Sequence, residues 1–244
     1  MTYVKAIKKA QLIEQFIKDQ TLKKSLADYT AQPFLKLLLS SLGYYFEYPI
    51  KNEFILGYSL TNEFNEYTII STSIKDPIIK AFTQSHELGH HLLHQKLLIN
   101  NKEANILEND YKPEKTSEKN EANCFAANLL MPDDVLYSIL YEMKSRESIK
   151  NLQCISYKTL YYRIIDYLVS KVFISKCIAT KLSHDYITAL PGTTKQCTLI
   201  KVWKKLKILN LRPNNYTKSE IINYNLNQIN NYENILNIKK DGNR

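Results

Sequence analysis

Residues 81–95 read Ala-Phe-Thr-Gln-Ser-His-Glu-Leu-Gly-His-His-Leu-Leu-His-Gln and hold four of the chain's five histidines, at positions 86, 90, 91 and 94. Within them His86-Glu87-Leu88-Gly89-His90 is an H-E-x-x-H pattern. On a helix, residues four apart lie one turn above each other, so His86 and His90 share a face. Two neutral imidazoles so placed can hold one Zn2+ at about 2.0–2.1 Å, with Glu87 beside them as a base toward a water. The competing reading is an amphipathic helix with histidines on its flank. In both readings the helix is apolar on both sides of the histidine line, through Ile78, Ile79, Phe82, Leu88, Leu92 and Leu93. Such a helix is buried, so the rest of the domain has to be built around it. Gly89 lowers its helix propensity by about 1 kcal/mol relative to Ala. That cost implies close packing at Gly89, by a strand or by the metal site itself.

The 244 residues can bury a sizeable core, in one domain or two. With only 5 Gly and 7 Pro, helices are expected to dominate. The net charge of +9 is uneven. Residues 1–45 carry 7 Lys and 3 acids, residues 46–194 carry 16 basic and 18 acidic groups, and residues 195–244 carry 10 basic and 3 acidic groups. The basic excess therefore lies at the two ends. It fits weak nucleic-acid contact through basic termini, or solvated faces of lysine-rich helices. Cys124, Cys154, Cys177 and Cys197 include no C-x-x-C pair, which speaks against a zinc ribbon or a redox pair. The first ten residues carry no secretory signal, and the longest apolar run, 34–46, contains Lys36 and is too short to span a bilayer. A cytoplasmic protein without a membrane partner is expected.

Along the chain, helical spacing of Ile7, Leu12, Ile13, Phe16 and Ile17 predicts one or two amphipathic helices over 3–29. Pro33 opens a short apolar helix that Gly43 ends. From residue 44 to 73 aromatic and β-branched runs at 44–48, 54–60 and 67–72 predict a small sheet of three strands, read as antiparallel. Asp76-Pro77 starts the histidine helix, expected over 77–98. Residues 99–116 read as an exposed loop. Helices are further predicted over 117–131, 135–144, 157–169, 199–211 and 221–238.

The helix over 117–131 reads Ser-Glu-Lys-Asn-Glu-Ala-Asn-Cys-Phe-Ala-Ala-Asn-Leu-Leu-Met and is stopped by Pro132. Its alanines at 122, 126 and 127 permit close approach of another helix. Glu121 sits one turn before Phe125, near the core side, where a carboxylate is costly unless paired or bound to a cation. Glu121 is thus a candidate third ligand. Alternatively, it and Glu118 are acids favoured by the helix dipole. His94 arrives too early to be a third ligand of the H-E-x-x-H-x-x-G-x-x-H kind and lies about 80° round the helix from His86. It reads as a hydrogen-bonding neighbour of the site or, equally, as a half-buried helix-end histidine. His91 points away, and His184 is expected on the surface.

The block from Lys80 through His94, the block Glu121-Ala122-Asn123-Cys124-Phe125-Ala126-Ala127-Asn128-Leu129-Leu130-Met131-Pro132 and the later Ser156–Ile165 together resemble the ImmA/IrrE family of zinc metallopeptidases. The resemblance covers roughly residues 54–169. It implies a zincin-like α+β domain: a short sheet, an active-site helix and a glutamate-bearing helix. It implies Zn2+ on His86, His90 and Glu121, with Glu87 as catalytic base. It also implies a protein substrate, a helix-turn-helix repressor whose cleavage derepresses genes of a mobile element or stress response. Many members carry an N-terminal helix-turn-helix domain, which this chain is read as lacking. The expected organisation is a helical segment over 1–45, the metallopeptidase domain over 46–170 and a basic, mainly helical extension over 171–244. The alternative function is a non-cleaving zinc-containing regulator that binds the repressor or DNA.

Overall fold

The computed structural model describes residues 3–21, 26–52, 54–61, 66–100, 117–141, 149–150, 153–206 and 217–241. The chain runs through α1 (Val4–Thr21), a 3-10 turn (Leu26–Asp28), α2 (Gln32–Leu42), β1 (Tyr44–Tyr48), β2 (Gly57–Thr61) and β3 (Glu66–Ser71). It continues through α3 (Pro77–Asn100), α4 (Ser117–Leu130), α5 (Asp133–Tyr141), α6 (Tyr157–Ser170), α7 (Lys176–Thr188), α8 (Thr194–Lys205) and α9 (Lys218–Asp241). This is the mostly helical α+β class read from the sequence. The loop predicted over 99–116 falls almost wholly outside the described residues, as does the end of the helix predicted over 199–211. Among the described residues no helix is long and apolar enough to cross a membrane.

By packing, the chain forms two compact units. The first comprises residues 1–132 with 149–156, and the second residues 133–148 with 157–244. The N-terminal helix, set apart as its own segment in the sequence reading, packs inside the first unit against α4. Its buried face is Ala6, Ala10 and Ile17, whereas Leu12 and Phe16 of the predicted apolar stripe are exposed. Small alanines let α1 lie close to α4, and the larger residues are left outside. Lys5 Nζ donates to the Leu93 carbonyl of α3 (3.2 Å), and Tyr29 Oη donates to the Leu129 carbonyl of α4 (2.7 Å).

The sheet is mixed and not antiparallel throughout. Its order is β1-β3-β2, with β2 antiparallel to β3 but β1 parallel to it. β1 and β2 are separated by residues 49–56 and do not pair with each other; β3 enters between them antiparallel to β2, and so runs in the same direction as β1. Register sets Thr68 and Ile70 of β3 toward α3, together with Ser59 and Gly57 of β2, and all four are buried. A Cβ on Gly57 would lie 2.8 Å from Ile70 Cδ1 and 3.1 Å from Thr83 Cγ2 of α3, so glycine lets the helix sit against the strand.

α3 starts as its sequence dictates. The Asp76 carboxylate accepts from the Ile78 amide (2.7 Å), and Pro77 takes the first helical position. From Ala81 to His91 every residue but Phe82 is buried, which is the central helix the sequence called for. At Gly89 the close neighbour is a helix, not a strand or the metal site. A Cβ there would lie 3.0 Å from Phe125 Cδ1 and 3.2 Å from Ala122 Cα of α4. The Ala122 contact is backbone, so the two helices would have to separate. In the second unit α6 packs on α7, and α8 packs on α5, α7 and α9. There the Asp133 carboxylate holds Arg163 (2.8 Å) and Lys171 (3.1 Å), while Asp185 accepts from Tyr232 Oη (3.0 Å) and pairs with Lys195 (2.5 Å).

Gly89→Ala sets a helix-propensity gain of about 1 kcal/mol against an overpacking cost of about 1–3 kcal/mol. The contact is with backbone, so the cost dominates. The variant is expected to unfold at lower urea than wild type, by about 1–2 kcal/mol in an equilibrium titration.

Candidate metal centre and active site

The face of α3 that carries His86, His90 and His94 meets α4, and the side chains there form one continuous polar chain. Asn123 Oδ1 lies 2.8 Å from His86 Nδ1. His86 Nε2 lies 3.0 Å from His90 Nε2, and His90 Nδ1 lies 3.0 Å from His94 Nδ1. His94 Nε2 lies 3.1 Å from Glu121 Oε2. All three rings are at most 5% exposed.

The ends of the chain set its protons. An amide oxygen and an ionised carboxylate can only accept. His86 Nδ1–H therefore donates to Asn123, and His94 Nε2–H donates to Glu121. With His94 neutral, its Nδ1 accepts from His90 Nδ1–H. Every ring proton then points outward, and the Nε2 lone pairs of His86 and His90 face each other at 3.0 Å. Two lone pairs at that distance repel unless a cation lies between them or a further proton enters the chain. Two ligands at about 2.0–2.1 Å from a tetrahedral ion stand about 3.3 Å apart, close to the separation found. The pair therefore fits a divalent cation.

The predicted third ligand is not drawn to the same point. Glu121 reaches the pair through His94. Among the described residues no three His, Cys, Asp or Glu side chains converge as a ready metal cluster. His94 thus joins His90 to Glu121, the hydrogen-bonding role that was one of its two sequence readings. α3 is kinked at this residue (φ −124°, ψ 15°). His91 lies on the sheet side, its Nε2 2.5 Å from Thr68 Oγ1, which is itself 3.3 Å from Ser59 Oγ. His184 is on the surface, its side chain 66% exposed.

Glu87 is 1% exposed, and neither of its carboxylate oxygens makes a well-formed hydrogen bond. Burial raises its pKa to about 7, with the Ser59 hydroxyl and the Lys119 ammonium pulling the other way. Burial lowers His86 to about 4 and His90 to about 2. Both histidines are therefore neutral at physiological pH, the form that donates a lone pair. A buried carboxyl with only the Ser59 hydroxyl and the Lys119 charge to offset its burial is costly, and it occurs here beside the paired imidazoles.

These elements, a short sheet over an H-E-x-x-H helix that faces a glutamate-bearing helix, coincide with one family profile. Residues 45–164 match the Peptidase M78 family, described as an IrrE N-terminal-like domain. The chain thus carries a domain of that peptidase family over residues 45–164. The matched segment takes in the sheet, α3 and α4, and therefore every site residue named above. No curated relative matches the chain.

Two polar contributors to this site were not assigned roles in the sequence. Asn123 orients His86, and its signal was its place two residues after Glu121 on the same helix. Lys119, two residues before Glu121, acts on His86, Glu87 and His90 through its charge. Its spacing carried no signal, because a lysine in the first turns of a helix is ordinarily solvated.

The pKa shifts fix a stability profile for the metal-free protein. His86 and His90 are depressed in the folded state, so the unfolded chain binds more protons below about 6.5 and these groups lower stability as pH falls. Glu87 is raised, so its contribution is present below about 4.5 and is lost as pH rises through about 7. The two act in opposite directions between pH 4.5 and 6.5. Metal-free Glu87→Gln, which removes the opposing term, is expected to lose stability more steeply than wild type on acidification through that window. Urea midpoints at a series of pH values read the difference.

Proposed function

We propose that the chain is a zinc-dependent endopeptidase whose ion is held by His86, His90 and Glu121 and whose general base is Glu87. The observation that carries this reading is the pair of facing Nε2 atoms beside a fully buried carboxyl whose pKa burial raises toward neutrality. Zn2+, when bound, supplies a Lewis acid that polarises the scissile carbonyl. The remaining work falls to side chains. Asn123 holds the His86 ring by Nδ1, so that Nε2 faces His90. The chain from His90 through His94 to Glu121 does the same for His90. Glu87, with a pKa near neutrality, takes a proton from the attacking water and returns it to the leaving amine. Burial of α3 keeps bulk water from competing for that proton.

The substrate we propose is a helix-turn-helix repressor, cleaved to derepress its genes. The support is the resemblance of the two sequence blocks to a family that does this. A non-cleaving regulator that sequesters the repressor is the second reading. It is favoured by one observation, that Glu121 is engaged with His94 and no three-ligand cluster is assembled among the described residues.

Incubation of the zinc-loaded protein with the repressor encoded beside its gene separates the two. Cleavage by wild type is expected, with loss of cleavage in Glu87→Gln at unchanged zinc content. Binding of the repressor without a cut, equal in wild type and variant, would establish the second reading. Asn123→Ala is expected to weaken zinc affinity by roughly 10–100-fold, measured against a chromophoric chelator, through the free rotation it gives His86. Glu121→Ala should cost more than His94→Ala in the same titration if Glu121 is a ligand. The reverse order would make His94 the ligand.

A further inference from the structure

The net charge divides by packing unit more sharply than by sequence segment. The first unit, N-terminal helix included, has 16 Lys and Arg against 15 Asp and Glu. The second has 17 against 9, so it carries +8 of the chain's +9. The N-terminal excess is therefore neutralised within its own unit, and the imbalance belongs to the helices α5–α9.

Within the second unit, several cations are paired with carboxylates. Arg163 and Lys171 hold Asp133, Lys195 holds Asp185, and Lys181 holds Glu233. α8 is different. Leu199, Val202 and Trp203 are buried, with Leu206 just past its end, while Thr194, Cys197, Lys201, Lys204 and Lys205 are exposed. Among the described residues none of these three lysines meets a carboxylate within ion-pair distance. Lys204 lies over the Tyr141 ring, 5.8 Å from its centroid. Lys201 is three and four residues before the other two, so all three share one side of the helix. Like charges so spaced cost about 0.2–0.5 kcal/mol per pair. The C-terminal dipole rewards cations in the last turn, but it gives no reason for a whole unit to carry +8.

We propose that the exposed face of α8 binds the phosphate backbone of duplex DNA. A lysine side of a helix presents point charges without base-reading geometry, so the contact is to phosphates and independent of sequence. Anionic membrane is a poorer occupant, because an interfacial helix needs an outward apolar face and the large apolar residues of α8 are turned inward. Single-stranded nucleic acid is poorer too, because it needs several exposed aromatic platforms, whereas Trp203 is only 7% exposed and the exposed Tyr141 ring already has Lys204 over it. The inference is independent of the peptidase reading.

The test is fluorescence anisotropy of a labelled mixed-sequence duplex with the full chain, at low and rising salt. Wild type is expected to bind with a dissociation constant of about 10⁻⁴–10⁻⁶ M near physiological salt. The variant Lys201→Glu, Lys204→Glu, Lys205→Glu is expected to bind at least tenfold more weakly. Replacing the same residues by Gln should flatten the slope of log affinity against log salt by roughly two to three, since each lost phosphate contact is worth about 0.9. Lys8→Glu on α1 is the control and should change neither. Circular dichroism and the urea midpoint of the variants check folding, which exposed substitutions should leave intact. No binding at low salt would overturn the proposal, as would an unchanged slope in the triple Gln variant. Tighter binding to anionic vesicles or to the single strand would also overturn it, by assigning the surface to another polyanion.

Discussion

The site depends on how closely α3 and α4 approach. Gly89 and Ala122 let the two helices touch backbone to side chain, and Phe125 closes over the glycine. Within one turn of that contact lie His86 and His90 on one helix and Glu121 and Asn123 on the other. A wider crossing would leave Asn123 out of reach of His86 and Glu121 out of reach of His94. The small residues at the crossing are thus as necessary to this arrangement of side chains as the histidines themselves.

Burial then determines protonation. A helix surrounded by the sheet, α1 and α4 excludes water from its polar face, so each polar group takes its state from its neighbours. His86 and His90 are kept neutral and Glu87 is pushed toward neutrality by the same desolvation. The hydrogen-bond chain has acceptors at both ends, so without a further proton donation runs outward and the two lone pairs face inward. Lone pairs and a buried carboxyl gathered in a dry interior fit a cation and a transferable proton, which is what the proposed function requires.

Much of this was legible in the residues. The H-E-x-x-H pattern, the Asp76-Pro77 start, Pro132 as a stop and the alanines of α4 located both helices, and with them the positions of His86, Glu87, His90 and Glu121. Gly89 announced a close approach, because a glycine in a buried helix costs stability unless something needs its space. What was misread was what depends on non-local partners. The apolar stripe assigned to α1 is partly exposed, because α4 accepts alanines there and not larger side chains. The sheet was read as antiparallel because propensity is silent on which strands pair. The partner at Gly89 was taken for a strand or the metal, since spacing along one helix cannot say which element crosses it.

The sequence by itself determined which residues could do chemistry, since a helix repeats every 3.6 residues whatever packs on it and His86 and His90 must share a face. It also determined the charge of each stretch, but not how that charge is shared between units. Tertiary structure alone decided that Asn123 orients His86, that His94 stands between His90 and Glu121, that His91 turns to Thr68, and that the N-terminal lysines lie in a neutral unit. Each of these is a contact between elements far apart in the chain. Periodicity fixes direction within an element, while distance between elements is set by the volumes that meet at their crossing.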